Sequence, residues 1–168
     1  MNKEKDLNSV RDKIDSLDER ILSLLNERAN LAIEAGKAKE ESIKYKPARE
    51  ATIFNKLKDI NKGPLSNDQI FSIYNEIISA CRSTESDLKV AYLGPEGTYS
   101  QSALKNKFGS SVETKPEPSI RSVFEEVNKG LCDFGIVPIE NSSEGAVNLT
   151  LDCLMAVSYT HLTLPTIL

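Results

Sequence analysis

The sequence predicts an all-α three-helix unit followed by an α/β unit, and three observations lead there. Apolar residues recur at spacings of three and four down the first forty positions. Two shorter amphipathic runs follow, bounded by clear start and stop residues. Beyond residue 86 the pattern switches to short apolar runs alternating with helical ones.

The first element is a long helix. Val10, Ile14, Leu17, Ile21, Leu24, Leu31, Ala35 and Ala38 form its seam, with one gap filled by Arg28. Such a seam packs lengthwise on partner helices. A guanidinium stays charged, so burying it demands an anionic partner from the protein or from a ligand. Arg28, Ala32, Ala35 and Lys39 follow one another with Gly36 beside them. Eleven residues at about 100° each make three turns plus about 20°, so Arg28 and Lys39 share a face roughly 16 Å apart. Small residues lie between them, which leaves room for a compact anion. Arg11 is turned about 100° from Arg28 and lies roughly 25 Å away, out of reach of the same pocket within one chain. An antiparallel two-fold dimer brings it to the partner's pocket.

A single Arg or Lys on a helix ordinarily faces solvent or snorkels over apolar neighbours. Here the intrusion recurs. The second helix begins at Tyr45-Lys46-Pro47-Ala48-Arg49-Glu50, with proline in the first turn, and ends at Asn61-Lys62-Gly63-Pro64. Its apolar face reads Ile53, Phe54, Leu57 and Ile60, with Glu50 in register. The third starts after Ser66, an N-cap with Gln69 three residues on. Its seam runs Ile70, Ile73, Tyr74, Ile77, Ile78 and Cys81, and then reaches Glu85. Three helices each carry a polar group onto an inward face, as a site requires.

These residues resemble the all-helical class of chorismate mutase found at the N-terminus of bacterial bifunctional chorismate mutase–prephenate dehydratases. Val10-Arg-Asp-Lys-Ile-Asp15, Asn26-Glu-Arg-Ala-Asn-Leu-Ala32, Gly36-Lys-Ala-Lys39 and Pro47-Ala-Arg-Glu50 carry the likeness. The resemblance implies an intertwined homodimer with two sites, each taking Arg11 from the partner chain. It implies that Arg28 and Arg49 hold the substrate carboxylates, that Lys39 bonds the ether oxygen, and that Glu50 takes the substrate hydroxyl. Cys81 stands where members often carry Ser to bond a carboxylate, and Lys46 where many carry Asp. Glu85 matches a position facing the ether oxygen, where only its protonated form donates a hydrogen bond. The activity implied is the pericyclic rearrangement of chorismate to prephenate in phenylalanine biosynthesis, with no cofactor and no metal. Such a site clamps a dianion in a compact shape and stabilises charge on the breaking ether oxygen.

After Ser86-Asp87, Leu88–Leu93 reads as a strand and Gly94-Pro95-Glu96-Gly97-Thr98-Tyr99-Ser100 as a glycine-rich turn opening a helix through Phe108. Glu113–Lys115 reads as a short strand, Ile120–Lys129 as a helix and Phe134–Ile139 as a buried strand. Glu140–Gly145 forms another turn, leading into a helix at Ala146–Met155. This α/β order puts ligand-facing loops at strand C-termini. A glycine-rich turn by itself is as often structural as functional. Leu93-Gly-Pro-Glu-Gly-Thr-Tyr-Ser100 and Val137-Pro-Ile-Glu-Asn-Ser-Ser-Glu-Gly145 resemble the opening half of a prephenate dehydratase domain, whose two lobes are of periplasmic-binding-protein-like type. The resemblance places Thr98, Ser100, Glu140, Asn141 and Ser142 toward prephenate. The family's Thr-Arg-Phe segment with its catalytic threonine is absent from this sequence, as is the phenylalanine-sensing ACT domain. The dehydratase is therefore expected to be incomplete and inactive in this chain.

The expected organisation is a mutase domain at 1–86, a truncated dehydratase segment at 87–156, and a non-native tail at 157–168. The run Val157-Ser-Tyr-Thr-His-Leu-Thr-Leu-Pro-Thr166 reads as a translated sequencing-library adapter, the other reading being a divergent natural tail. On the first reading His161, the sole histidine, is foreign.

With 168 residues, 27% of them charged, and a net charge of −4, the chain has no basic bias toward nucleic acid. Neither a signal peptide nor a membrane span is legible. Cys81, Cys132 and Cys153 are widely spaced, as expected of free thiols in a reducing cytoplasm. A second function class stays open: a non-catalytic helical dimerisation module whose inward charges set register. Balanced opposite charges would favour it, whereas the excess of cations over Glu50 and Glu85 favours an anionic ligand.

Overall fold

A computed structural model describes residues 2–38, 45–141 and 145–156. The chain divides into two compact units, Met1–Asp87 and Leu88–Leu168.

The first unit contains α1 (Asn2–Lys37), α2 (Pro47–Ile60) and α3 (Asn67–Ser83). Local chemistry sets the boundaries. Pro47 opens α2, where a missing N–H costs nothing. Asn61 stops it and ties the turn, its Nδ2 donating to the Leu65 carbonyl at 3.0 Å and to Asn67 Oδ1 at 2.9 Å. At α3 the Gln69 amide donates to Ser66 Oγ at 3.2 Å and the Ser66 amide to Gln69 Oε1 at 2.8 Å, a reciprocal capping box. Both α1 and α2 pack on α3, and Phe54 of α2 lies 4.4 Å from Phe71 of α3 between ring centroids.

The seam expected on α1 is present but does not face α3. Val10, Ile14, Leu17 and Ile21 are each about half exposed, and Leu24 and Leu31 are 61% and 57% exposed. The partly covered stripe is Leu25, Arg28, Ala29, Ala32, Ile33 and Gly36, confined to the C-terminal third. Length explains this. At 1.5 Å per residue α1 runs about 54 Å and α3 about 26 Å, so α3 can line only about half of it.

The second unit is built on a parallel three-stranded sheet ordered β2-β1-β3, with β1 at Lys89–Leu93, β2 at Glu113–Glu117 and β3 at Phe134–Ile136. Val90, Ala91 and Tyr92 of the central strand are fully buried. α4 (Tyr99–Phe108) and α5 (Ile120–Asn128) both pack on the sheet. Phe108 of α4 meets Phe134 at 5.5 Å, whereas Val123 and Val127 of α5 pack against Ala91. Lys115 joins β2 to α5, contacting Glu117 at 3.3 Å and Glu126 at 2.6 Å.

Three boundaries differ from expectation. β2 continues to Glu117 because Tyr92↔Pro116 and Leu93↔Glu117 extend the ladder, Pro116 being tolerated on an edge strand. The run expected as a buried strand to Ile139 stops at Ile136. It is an edge strand, half-buried at Phe134 and Ile136 and exposed at Gly135, and Pro138 beyond it cannot donate to a ladder. The last helix, α6, spans Asn148–Ala156 rather than starting at Ala146. Gly145–Ala146 (β5) instead pairs antiparallel with Glu140–Asn141 (β4). Thr150 then anchors α6, its Oγ1 donating to the Pro138 carbonyl at 2.7 Å.

Gly135 allows α5 to approach the sheet. A Cβ there would stand 2.8 Å from Val123 Cγ1 and 3.2 Å from Val127 Cγ2. Gly135→Ala is expected to destabilise the second unit by about 1–3 kcal/mol through overpacking. Faster amide exchange at Ala91 and Tyr92 would register it, and unchanged protection would contradict it.

Candidate active site

The C-terminal end of α3 is where the first unit gathers its charges. Arg82 and Cys81 are buried there, 6% exposed each. Arg82 Nη1 donates to Glu50 Oε1 at 2.9 Å, with the two side chains only 7% and 15% exposed. This pair joins the last turn of α3 to the first turn of α2. Both ends suit the helix dipoles, a cation at a C-terminus and a carboxylate at an N-terminus. The Tyr45 ring lies against the guanidinium, 5.0 Å from centroid to Cζ. Burial foremost, then the Glu50 carboxylate, pushes the Tyr45 phenol above its ordinary range, with Arg82 pulling the other way.

Glu85 follows α3 and leans onto α1. Its Oε2 sits 3.3 Å from where a Cβ on Gly36 would stand, and its Cγ 3.4 Å. The glycine in Gly36-Lys-Ala-Lys39 thus makes room for a carboxyl group beside the start of the Lys39 segment. Arg28 is half-buried on the same third of α1. Arg49 is exposed next to Glu50 in the first turn of α2. Arg11 is exposed on the far half of α1, and since the helix is unbroken it lies about 25 Å from Arg28. Lys39 lies outside the described residues.

Of the residues expected from sequence, the structure pairs Glu50 with a cation and sets Glu85 against α1. It does not bring Arg11 to Arg28 within the chain. Arg82 and the Tyr45 ring were not anticipated as parts of the site. The available signal was spacing: Arg82 follows Ile78 by four residues, so it has the same claim on the seam as Cys81, and Glu50 on an inward face needs a cation.

In the second unit, β1 and β3 run parallel with Tyr92 opposite Ile136, so the segments that follow them leave the same edge of the sheet. Thr98 caps α4 and is half-buried, its Oγ1 donating to the Leu93 carbonyl at 3.3 Å. Ser100 is half-buried in the first turn of α4. Gly97, at φ 82°, shapes the turn in a region where side chains are strained, and its amide donates to Gln101 Oε1 at 2.7 Å. Glu140 is exposed on β4, and Asn141 pairs with Gly145 through backbone. Ser142 lies outside the described residues. Burial pushes the Cys132 thiol above its usual range, which disfavours a nucleophilic role.

Residues 10–86 match the chorismate mutase type II family, and residues 90–164 match the prephenate dehydratase family. The chain joins a type II chorismate mutase domain to a prephenate dehydratase segment. It is 49% identical over 156 residues to a bifunctional chorismate mutase/prephenate dehydratase of Stutzerimonas stutzeri, covering 89% of this chain and 43% of that protein. The relatives of the same description from Pseudomonas aeruginosa and Aquifex aeolicus are 45% and 44% identical with the same coverage. The chain thus spans less than half the length of these relatives. The dehydratase match runs past Ala156, into the segment expected to be foreign. No described helix is long and apolar enough to cross a membrane.

Tyr45 yields a pH test of the charge cluster. Its phenol is held neutral by burial, so the stability it retains at neutral pH is lost as the pH rises above the ordinary tyrosine range. Ultraviolet titration is expected to show a late phase from two phenols raised by burial, Tyr45 and Tyr92. Tyr45→Phe is expected to shrink that late phase by one phenol, and a late phase of unchanged size would refute the burial.

Proposed function

We propose that residues 1–86 catalyse the rearrangement of chorismate to prephenate, as part of phenylalanine biosynthesis in the cytoplasm. The match of residues 10–86 to the type II mutases carries the reading. The cluster of charged side chains at the α1, α2 and α3 ends supplies its chemistry. Rearranging chorismate is unimolecular and moves no proton, so the site needs no nucleophile, base or metal. Arg28 and Arg49 hold the two carboxylates and keep the flexible dianion in its reactive shape. Lys39 donates to the ether oxygen as negative charge grows there, and Glu85, when protonated, donates from the opposite side. Glu50 accepts a hydrogen bond from the substrate hydroxyl, and the buried Cys81 backs a carboxylate. Residues 87–156 are the opening of a dehydratase lobe of periplasmic-binding-protein-like type. In it Thr98, Ser100, Glu140, Asn141 and Ser142 face prephenate.

The exposed seam of α1 supports a second copy of the chain as its partner. Each half-exposed Val, Ile or Leu there has roughly 1 kcal/mol still to gain from burial. An antiparallel partner helix covers the seam and delivers Arg11 of the partner subunit to the site, as the separation of about 25 Å from Arg28 requires.

Purified protein is expected to consume chorismate and release prephenate, detected as phenylpyruvate after acidification. Lys39→Ala removes a donor worth roughly 2.7–4 kcal/mol of barrier, so turnover should drop at least about a hundredfold in a folded protein. No chorismate loss from the folded native chain would favour the dimerisation-module reading. The shared site has its own test. Arg11→Ala and Lys39→Ala are each expected to be nearly inactive. Mixed and allowed to exchange subunits, they should regain about a quarter of the native sites, since a mixed dimer keeps one site intact. No recovery despite exchange would place Arg11 outside the site.

A further inference from the structure

We infer that Arg82 is a positioning residue of the mutase site, acting through Glu50 rather than on the substrate. This assignment rests on the mutase reading above.

The geometry points away from direct contact. The Arg82 side chain is 7% exposed, its Nη1 is committed to Glu50 Oε1 at 2.9 Å, and the Tyr45 ring covers the guanidinium at 5.0 Å. Little of that guanidinium is left for a ligand to touch. Its contact with Glu50 couples it to the substrate, and a hydrogen bond from a planar, permanently charged donor fixes where that carboxylate sits. Stability alone does not explain the pair. A buried ion pair often contributes no more than a well-packed apolar pair of the same volume, because desolvation offsets the attraction. What the pair supplies is direction and charge. Glu50 is held in one orientation by the guanidinium, which sets the direction from which it meets the substrate hydroxyl. Its negative charge is neutralised, so it does not repel the dianion that Arg28, Arg49 and Lys39 attract. Tyr45 completes the arrangement by fixing the guanidinium plane from the segment that precedes α2.

A double-mutant cycle in the full chain tests this: Glu50→Gln, Arg82→Met and the two together, each assayed for kcat and KM with chorismate and checked for folding by circular dichroism. Arg82→Met alone strands the Glu50 carboxylate and is expected to lower kcat/KM by about tenfold or more. The double variant removes both charges, so it stays folded even where the single variant does not. It should be no less active than Glu50→Gln alone. Arg82→Lys retains the charge without the fork and should fall between native and Arg82→Met. Additive losses in the cycle, or full activity in a folded Arg82→Met, would overturn the assignment while leaving the mutase reading in place. An inactive native chain would overturn both.

Discussion

The length of α1 is the constraint on which the first unit depends. A helix of about 54 Å cannot be covered by α3, which packs on it and is about 26 Å long. Among the described side chains of α1, partial cover is confined to the third from Leu25 to Gly36, where Ala29, Ala32 and Gly36 stand beside Leu25 and Ile33 with Arg28 among them. Elsewhere the helix presents an apolar seam to solvent. An isolated helix gains most of its stability from packing such a face, so the sequence of α1 makes sense as one half of a larger interface. The same separation that leaves the seam bare puts Arg11 out of reach of Arg28.

Buried charge is the second organising feature. Taking Arg82 and Glu50 out of water carries a desolvation cost that their mutual attraction at best offsets, and each helix end supplies only a partial charge in compensation. A chain folding for stability alone could place aliphatics at both positions. The pair joins the start of α2 to the end of α3, beside Cys81 and one turn from Glu85, where the candidate site residues are densest. The second unit shows the contrast. Its Lys115 contacts Glu117 and Glu126, whose side chains are as covered as that of Glu50. The lysine, however, is half-exposed and so keeps part of its hydration while fastening α5 to the sheet edge.

How much of this was legible depended on how local each cause is. Ser66 with Gln69, Pro47, and Asn61 before Gly63-Pro64 act over two to four residues, and the helices they bound fall where the sequence placed them. β1 was legible because a central parallel strand is apolar on both faces. β3 was over-extended because Val137 and Ile139 continue an apolar run that Pro138 cannot carry into a ladder. The β4–β5 hairpin rests on two residues from each strand, too short for any period to register. On α1 the seam and the covered stripe lie on different sides of the same turns, because Leu25 and Ala32 are turned about 100° from Leu24 and Leu31. Spacing alone does not say which side meets α3. Arg82 went unread because its partner is 32 residues away, a distance that spacing along one helix does not report.

On the proposed mutase reading, charge balance accounts for why a site with Arg28, Arg49 and Lys39 keeps a carboxylate at Glu50. A dianionic substrate beside an unpaired carboxylate meets repulsion of about 3 kcal/mol per charge for groups about 6 Å apart at an effective dielectric of 20. Replacing Glu50 by an apolar residue would remove the repulsion and the hydroxyl acceptor together. Pairing it with Arg82 removes only the repulsion. Because the proposed rearrangement moves no proton, nothing in the cycle requires Glu50 to change its charge, and a permanently charged guanidinium can stay bound to it throughout. A reaction using Glu50 as a base would be hindered by the same contact, since the guanidinium occupies a carboxylate oxygen that would have to accept the proton. The buried pair therefore suits a site that clamps and orients its substrate, and it would be a handicap in one that shuttles protons.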